Sequence, residues 1–236
     1  MIPRGPRPAA VLFDLDGTLA DSFSAIHEAL ATVLADEGLP RRSPEWVRRH
    51  VGRGAVALVR DAVEEGAAED RVAAVAGAFD ARYRALYLER TPPVAGALTV
   101  VEAVAARTAG RVAVVSNKFS SLSRGWLERW GFAPSVAVVV GPDTYGVTKP
   151  DPATVRPVLQ RFGVAPADAL LVGDMAVDVS LGRAVGAPVV VVLGGASRRE
   201  VLEEAGPAAV LGSLAELPGW LAAHGRGWEG ALPSPG

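Results

Sequence analysis

Two aspartates stand two residues apart in the segment Asp14-Leu15-Asp16-Gly17-Thr18, directly after the short apolar run Ala9 to Phe13. Residues two apart at the end of a strand point to the same side. Two carboxylates so placed can divide labour. One can attack a phosphorus atom as nucleophile, and the other can act as general acid to the leaving group. Gly17 lets the chain turn sharply, and Thr18 offers a hydroxyl and a backbone N–H to a phosphate. A lone Asp-Gly would be an ordinary turn. Two aspartates followed by Gly-Thr-Leu after an apolar strand point to chemistry.

Three further groups of residues carry related chemistry. Val172-Gly173-Asp174 closes another apolar run, and Asp178 follows one helical turn later on the same face. A hard cation such as Mg²⁺ takes oxygen ligands in octahedral geometry, commonly one or two carboxylates with waters and phosphate. Asp14 and Asp174 could supply the two carboxylates, with Asp178 behind them to orient what lies in front. Asp174 alone would serve equally as a helix N-cap. Ser116 and Asn117 follow the run Arg111 to Val115 and precede a helical pattern. A hydroxyl and backbone N–H groups at such a place suit a phosphate, and they suit capping as well. Lys149 lies in Thr148-Lys149-Pro150-Asp151-Pro152. It can offset the charge of close carboxylates and phosphate, or it can be a solvated lysine before a helix begun by Pro152. Lys118 has the same two readings.

The elements that must position these residues follow from texture. Ala9 to Phe13, Arg111 to Val115, Ser135 to Val140, Ala169 to Val172 and Ala187 to Leu193 are short apolar runs, mostly β-branched. They read as buried parallel strands. Helical patterns at Leu98 to Arg107, Ser120 to Trp130, Pro152 to Phe162 and Val177 to Val185 fill the gaps. Strand–helix alternation predicts an α/β fold, a doubly wound Rossmann-like parallel sheet, whose ligands bind beyond the carboxyl ends of the strands. Those ends carry Asp14, Asp16, Ser116, Asn117, Lys118 and Asp174.

One stretch breaks the alternation. Ser22 to Glu37, Ser43 to His50, Ala55 to Glu65 and Glu69 to Leu88 read as helices with no strand among them. This predicts a small all-helical cap, residues 21–90, inserted after the first strand of a core made of 9–20 and 91–223. The Gly-, Pro- and Arg-rich ends, 1–8 and 224–236, are expected to be flexible.

Composition bounds the function. The 236 residues include no cysteine, so disulfides, thiolate nucleophiles and zinc–thiolate sites are excluded. A formal net charge of −2 gives no field to attract nucleic acid or a membrane surface. No apolar run reaches the roughly 18–20 residues that span a bilayer, and no signal peptide is recognisable. The expectation is a cytoplasmic monomer or homodimer.

Taken in order along the chain, the four groups resemble the haloacid dehalogenase-like superfamily. Its Asp-x-Asp-x-Thr signature matches Asp14 to Thr18, its Ser/Thr motif Ser116, its lysine motif Lys149 and its Gly-Asp-x-x-x-Asp motif Gly173 to Asp178. The resemblance implies a Mg²⁺-dependent phosphatase acting on a small phosphorylated metabolite. Asp14 would form an aspartyl-phosphate, and Asp16 would protonate the leaving alcohol and then activate water. Asp14, the backbone carbonyl of Asp16 and Asp174 would bind Mg²⁺, while Thr18, Ser116, Asn117 and Lys149 contact the phosphoryl group. The presence of Asp16 favours phosphate over carbon–halogen chemistry.

The helical insertion resembles the cap of phosphoglycolate phosphatases. Val51-Gly52-Arg53-Gly54-Ala55 resembles their Gly-rich cap loop, in which Arg53 would grip a substrate carboxylate bidentately or stand as a solvated loop arginine. Met175, where a small polar residue is frequent, and Phe119, where proline is frequent, depart from that pattern. The alternatives are a phosphotransferase such as a sugar-phosphate mutase, a pyrophosphatase or nucleotidase of the same superfamily, and, more remotely, a non-enzymatic binding domain. Cleavage of a phosphorus–carbon bond would need a cap lysine, and residues 22–88 contain none.

Overall fold

The computed structural model of the chain describes residues 8–52, 54–63 and 66–224. The chain divides into two compact units, Met1–Leu19 with Pro93–Gly236, and Ala20–Pro92. β1 (Ala10–Phe13) opens the first unit. The second unit is helical, with α1 (Phe23–Asp36), α2 (Pro44–His50), α3 (Ala55–Ala62) and α4 (Glu69–Arg90). Ser43 starts α2, its hydroxyl accepting the Trp46 N–H at 3.1 Å, with Pro44 at the first helical position. Phe79, Tyr83 and Tyr87 recur every four residues along α4, so their rings share one face. Successive centroids lie 5.7 and 5.3 Å apart. With α1 packed against α4, these rings and Leu30, Val33 and Leu34 form the centre of this unit.

The first unit continues with α5 (Ala97–Arg107), β2 (Val112–Val115), α6 (Ser120–Arg129), β3 (Val138–Val140), α7 (Pro142–Tyr145) and α8 (Arg156–Phe162). It ends with β4 (Ala169–Gly173), α9 (Ala176–Val185), β5 (Val189–Val192), α10 (Arg199–Ala205), β6 (Ala209–Leu211) and α11 (Leu217–His224). All six strands are parallel, in the order β3-β2-β1-β4-β5-β6. This is the expected doubly wound α/β fold. The strands are apolar throughout because helices cover both faces, which removes any solvent side that would call for alternation. Val11, Val114, Val172 and Val190 are all but inaccessible.

Strand order reverses beside β1: β2 and β3 lie on one side, β4 to β6 on the other. The crevice at that switch point, between the carboxyl ends of β1 and β4, is where such sheets bind ligands. Leu12 pairs with Leu171 and Phe13 with Val172, so the residues that follow, Asp14 and the Gly173-Asp174 corner, emerge together.

Several expected boundaries move. The strand expected from Ser135 begins only at Val138, because Ala133–Ser135 forms a 3₁₀ turn around Pro134. The helix expected over Pro152 to Phe162 is broken into a 3₁₀ turn, Pro152–Thr154, and α8. Pro157 accounts for the break: it donates no N–H and crowds the carbonyl four residues back, so the helix restarts with proline in its first turn. α3 ends at Ala62, with Val63 extended after it; Glu64 and Glu65, the last residues of its expected span, lie outside the described residues, as do Arg53 and the terminal segments 1–7 and 225–236. Among the described residues no helix is long and apolar enough to cross a membrane.

Candidate active site

Asp14 leaves β1 with its N–H bonded to the Val172 carbonyl at 2.8 Å, which ties it to β4 as the strand ends. Its Oδ1 lies 2.7 Å from the Lys149 ammonium. The same ammonium lies 2.7 Å from Asp178 Oδ1. Lys149 is therefore a bridge between two carboxylates, and all three side chains are at least nine-tenths buried. Leu12, Val155, Leu171 and Leu181 line the space beside them, so water is replaced by hydrocarbon on that side.

Asp174 is inaccessible. Its Oδ2 accepts the Ala196 N–H at 2.7 Å, and the Thr18 hydroxyl points at its Oδ1 from 3.4 Å. Two glycines make the room. A Cβ on Gly17 would stand 2.4 Å from Asp174 Oδ2, and one on Gly195 only 2.0 Å away. Gly17 also has a φ of 84°, which L side chains rarely adopt. Asp178, in the first turn of α9, accepts the Met175 N–H on its Oδ2 at 3.1 Å while its Oδ1 meets Lys149. Asp14, Asp174 and Asp178 can each present an oxygen within 4.8 Å of the others.

The electrostatics follow. Burial raises the Asp14 carboxyl from its ordinary 3.8 to about 6; Lys149 opposes this, while Asp178 and Asp16 add to it. Burial, then the charges of Asp14 and Asp178, push Asp174 well above the usual carboxylate range. Burial pulls Lys149 down, but Asp14 and Asp178 more than offset it and leave the ammonium held above its ordinary value. One lysine cannot neutralise three carboxylates.

Asp16 has a separate partner. Its Oδ2 lies 2.9 Å from the Lys118 ammonium, and its buried Oδ1 has no hydrogen-bond partner among the described residues. Lys118 belongs to the loop after β2. There the Ser116 N–H bonds the Val140 carbonyl at 3.0 Å, and the Ser116 hydroxyl accepts the Lys118 N–H at 3.2 Å. The Asn117 side chain turns to Lys149: its Oδ1 accepts the Lys149 N–H at 2.8 Å, and its Nδ2 donates to the Lys149 carbonyl at 3.5 Å.

The family model of haloacid dehalogenase-like hydrolases matches residues 8–186. The chain belongs to that family. Within it, the chain is 39% identical over 236 residues to a phosphoglycolate phosphatase of Rhodospirillum rubrum, covering 96% of this chain and 97% of that one. It is 36% identical over 215 residues to a plasmid phosphoglycolate phosphatase of Cupriavidus necator, covering 90% and 92%. A solved structure of a family hydrolase from Deinococcus radiodurans, with bound phosphate and sodium, superposes with a TM-score of 0.72 at 26% identity, covering 92% and 97%. A predicted phosphoglycolate phosphatase from Haemophilus somnus shares the fold, with a TM-score of 0.81 at 23% identity, covering 92% and 98%.

In this family member the structure brings Asp14, Asp174, Asp178 and Lys149 into one cluster, with Asp16, two residues after Asp14, paired to Lys118. Thr18, expected at the phosphate, lies beside Asp174. The residue is fully buried, its N–H donates to the Leu15 carbonyl at 3.3 Å and its hydroxyl turns to Asp174, so neither donor faces outward. Asp174 is not the cap of α9 either; Met175 holds that position. Arg53 lies outside the described residues. Three contacts went unforeseen. Lys118 was legible as a lysine at a strand end, Gly194-Gly195 as a glycine pair at another, and the Ala196 N–H carries no side-chain signature.

Proposed function

We propose that the chain is a Mg²⁺-dependent phosphatase that hydrolyses small phosphate monoesters through an aspartyl-phosphate on Asp14, with phosphoglycolate as the leading substrate. The observation that carries this proposal is the Lys149 bridge. It holds a desolvated carboxylate at the carboxyl end of β1 with a compensating cation on one side. Loss of water from a carboxylate strengthens it as a nucleophile, and the ammonium fixes its direction. The names borne by relatives at 36–39% identity support the substrate class, and phosphate in a relative at 26% supports the anion.

The Asp14 carboxylate attacks phosphorus, and the ester oxygen leaves with a proton from Asp16. Asp16 Oδ1, which has no hydrogen-bond partner among the described residues while Oδ2 meets Lys118, is the oxygen available for that transfer. Asp16 then takes a proton from water as the water attacks phosphorus, which releases inorganic phosphate and restores the Asp14 carboxylate. Lys149 draws charge from the phosphoryl oxygens, and Ser116 offers its hydroxyl. Because the Asn117 amide is engaged with Lys149, a phosphate contact from that residue falls to its backbone N–H.

The residues fit a hard divalent cation. Three buried carboxylates face one ammonium, their oxygens converge, and the glycines at 17 and 195 leave the Asp174 carboxylate its place. Asp14, Asp174 and the Asp16 backbone carbonyl would hold the ion, with Asp178 behind them. When bound, Mg²⁺ would supply neutralisation of the charge on the phosphoryl oxygens. Residues 21–90 are the proposed cap, with Arg53 as the contact for a substrate carboxylate. The setting we propose is cytoplasmic, with a monomer or homodimer acting on a small metabolite.

The test is phosphate release from phosphoglycolate, sugar phosphates, nucleotides and pyrophosphate, with Mg²⁺ and with EDTA. Mg²⁺-dependent turnover, highest on phosphoglycolate, is expected. Absence of Mg²⁺-dependent turnover on the whole panel refutes the phosphatase assignment. Preference for an ester without a carboxylate refutes the role of Arg53, and transfer to a sugar hydroxyl rather than to water identifies a phosphotransferase.

A further inference from the structure

Lys149 presents a problem of aim. Its side chain has four rotatable bonds and a single charged tip, and it must end between two carboxylates with both distances at 2.7 Å. The residue lies between α7 and α8, in a stretch that is neither helix nor strand. No ladder of backbone hydrogen bonds therefore fixes where the side chain starts. The Asn117 amide, thirty-two residues away, supplies that anchor by spanning both backbone groups of Lys149. A planar amide offers an acceptor and a donor side by side, which suits it to both backbone groups of one residue.

The support behind Asn117 is itself rigid. The Ser116 N–H is bonded to the end of β3 through Val140. Ser120, two residues after Lys118, donates both its N–H and its hydroxyl to Asp143, each at 2.7 Å. Gly141 packs so closely beneath this loop that a Cβ there would stand 2.5 Å from both the Lys118 carbonyl oxygen and the Ser120 nitrogen. The loop between β2 and α6 is thus bound to the end of β3 at Val140, Gly141 and Asp143, and Asn117 transmits that fixed position to Lys149.

We infer that Asn117 is a positioning residue that aims Lys149 by clamping its backbone, and that its side chain contributes to phosphate binding through Lys149 alone. The inference rests on the proposed role of Lys149 as a phosphate contact. It differs from a direct contact between the Asn117 side chain and phosphate, and the two make opposite predictions about additivity.

The test is binding of inorganic phosphate in the presence of Mg²⁺, measured by calorimetry for wild type, Asn117→Ala, Lys149→Met and the double variant. Asn117→Ala is expected to weaken binding about tenfold, equivalent to about 1.4 kcal/mol. In the Lys149→Met background the same substitution is expected to change binding by less than about twofold, as residues acting as a unit do. Equal losses in both backgrounds would show a direct contact and overturn the inference. An undiminished affinity in Asn117→Ala would overturn it too, whereas no phosphate binding by wild type would instead count against the phosphatase reading. Hydrogen exchange gives a readout that does not need the Lys149 variant to fold. The Lys149 amide is expected to be protected in wild type and to exchange at least about tenfold faster in Asn117→Ala, with neighbouring strands unchanged. Unchanged protection at Lys149 would rule out the clamp.

Discussion

Asp14→Asn, studied without metal, tests the electrostatics of the site directly. Burial raises the Asp14 carboxyl from 3.8 to about 6 in the folded chain. The folded state therefore binds this proton more tightly than the unfolded state does. The stabilising contribution of the proton is complete below 3.8 and is lost as the pH rises through about 6. Between about pH 5 and about pH 7.5 the loss is on the order of 1 kcal/mol, taken from the two proton-binding curves. For a chain of this length that corresponds to a few °C in Tm, on the order of 2–4 °C. Asparagine has no proton to lose. In EDTA, the wild-type Tm is expected to fall relative to that of Asp14→Asn by this amount across the interval. Asp174 acts in the same direction, since its raised value owes part to Asp14. Thermal melts of both proteins at a series of pH values are sufficient. Parallel curves would refute the assignment of Asp14 as a desolvated carboxylate facing too few cations. Adding Mg²⁺ completes the test: it is expected to stabilise wild type more at the higher pH, where it no longer competes with protons, and to stabilise Asp14→Asn less at both. Equal stabilisation of the two proteins would remove Asp14 from the proposed ligand set.

Gly195→Ala places a methyl group 2.0 Å from Asp174 Oδ2, so the carboxylate must move and its bond from Ala196 must break. A rate loss on the order of 100-fold is expected, with a higher Mg²⁺ concentration for half-maximal rate; an unaltered Mg²⁺ titration would refute the cradle. Lys118→Met removes the 2.9 Å partner of Asp16. It is expected to lower kcat on the order of tenfold, the effect of losing a charge-assisted contact of about 1.5 kcal/mol, with KM unchanged. Steady-state kinetics on phosphoglycolate decide it, and a change in KM alone would place Lys118 on the substrate instead.

The parallel sheet was legible because buried strands announce themselves as unbroken β-branched runs, and Val112–Val115 and Val189–Val192 could hardly be anything else. β6 was not legible: Ala209–Leu211 has three residues at the sheet edge and only Leu211 is fully buried, so it lacks that signature. Asp14, Asp16 and Asp174 were legible as candidates because rare combinations of residue types stand at strand ends, and Lys149 because it stands in a proline-flanked loop. Their partners were not. Whether Lys118 meets solvent or Asp16 depends on how the loop after β2 is pinned to β3, and spacing within the loop does not encode that. The same holds for Asn117, whose partner lies thirty-two residues on. The position of Thr18 in the motif suggested a phosphate contact; the turn at Gly17 brings it near Asp174, with its hydroxyl directed at that carboxylate.

The distribution of the two lysines bears on why the site suits a divalent cation. Both are held near the end of β1, and both could in principle have served the buried carboxylates. Lys118 instead meets Asp16, which stands outside the trio. Among the described residues Lys149 is the cation that meets Asp14 and Asp178, while Asp174 receives an N–H and a distant hydroxyl. Three carboxylates against one ammonium leave two negative charges. Protons and a divalent cation are competing ways to neutralise them, and the raised values of Asp14 and Asp174 express the pull on protons. A second lysine in the trio would have left one negative charge instead of two, and so weakened the pull on protons and on a divalent cation alike. Pairing Lys118 with Asp16 keeps the trio short of positive charge and at the same time orients the group proposed to move the proton.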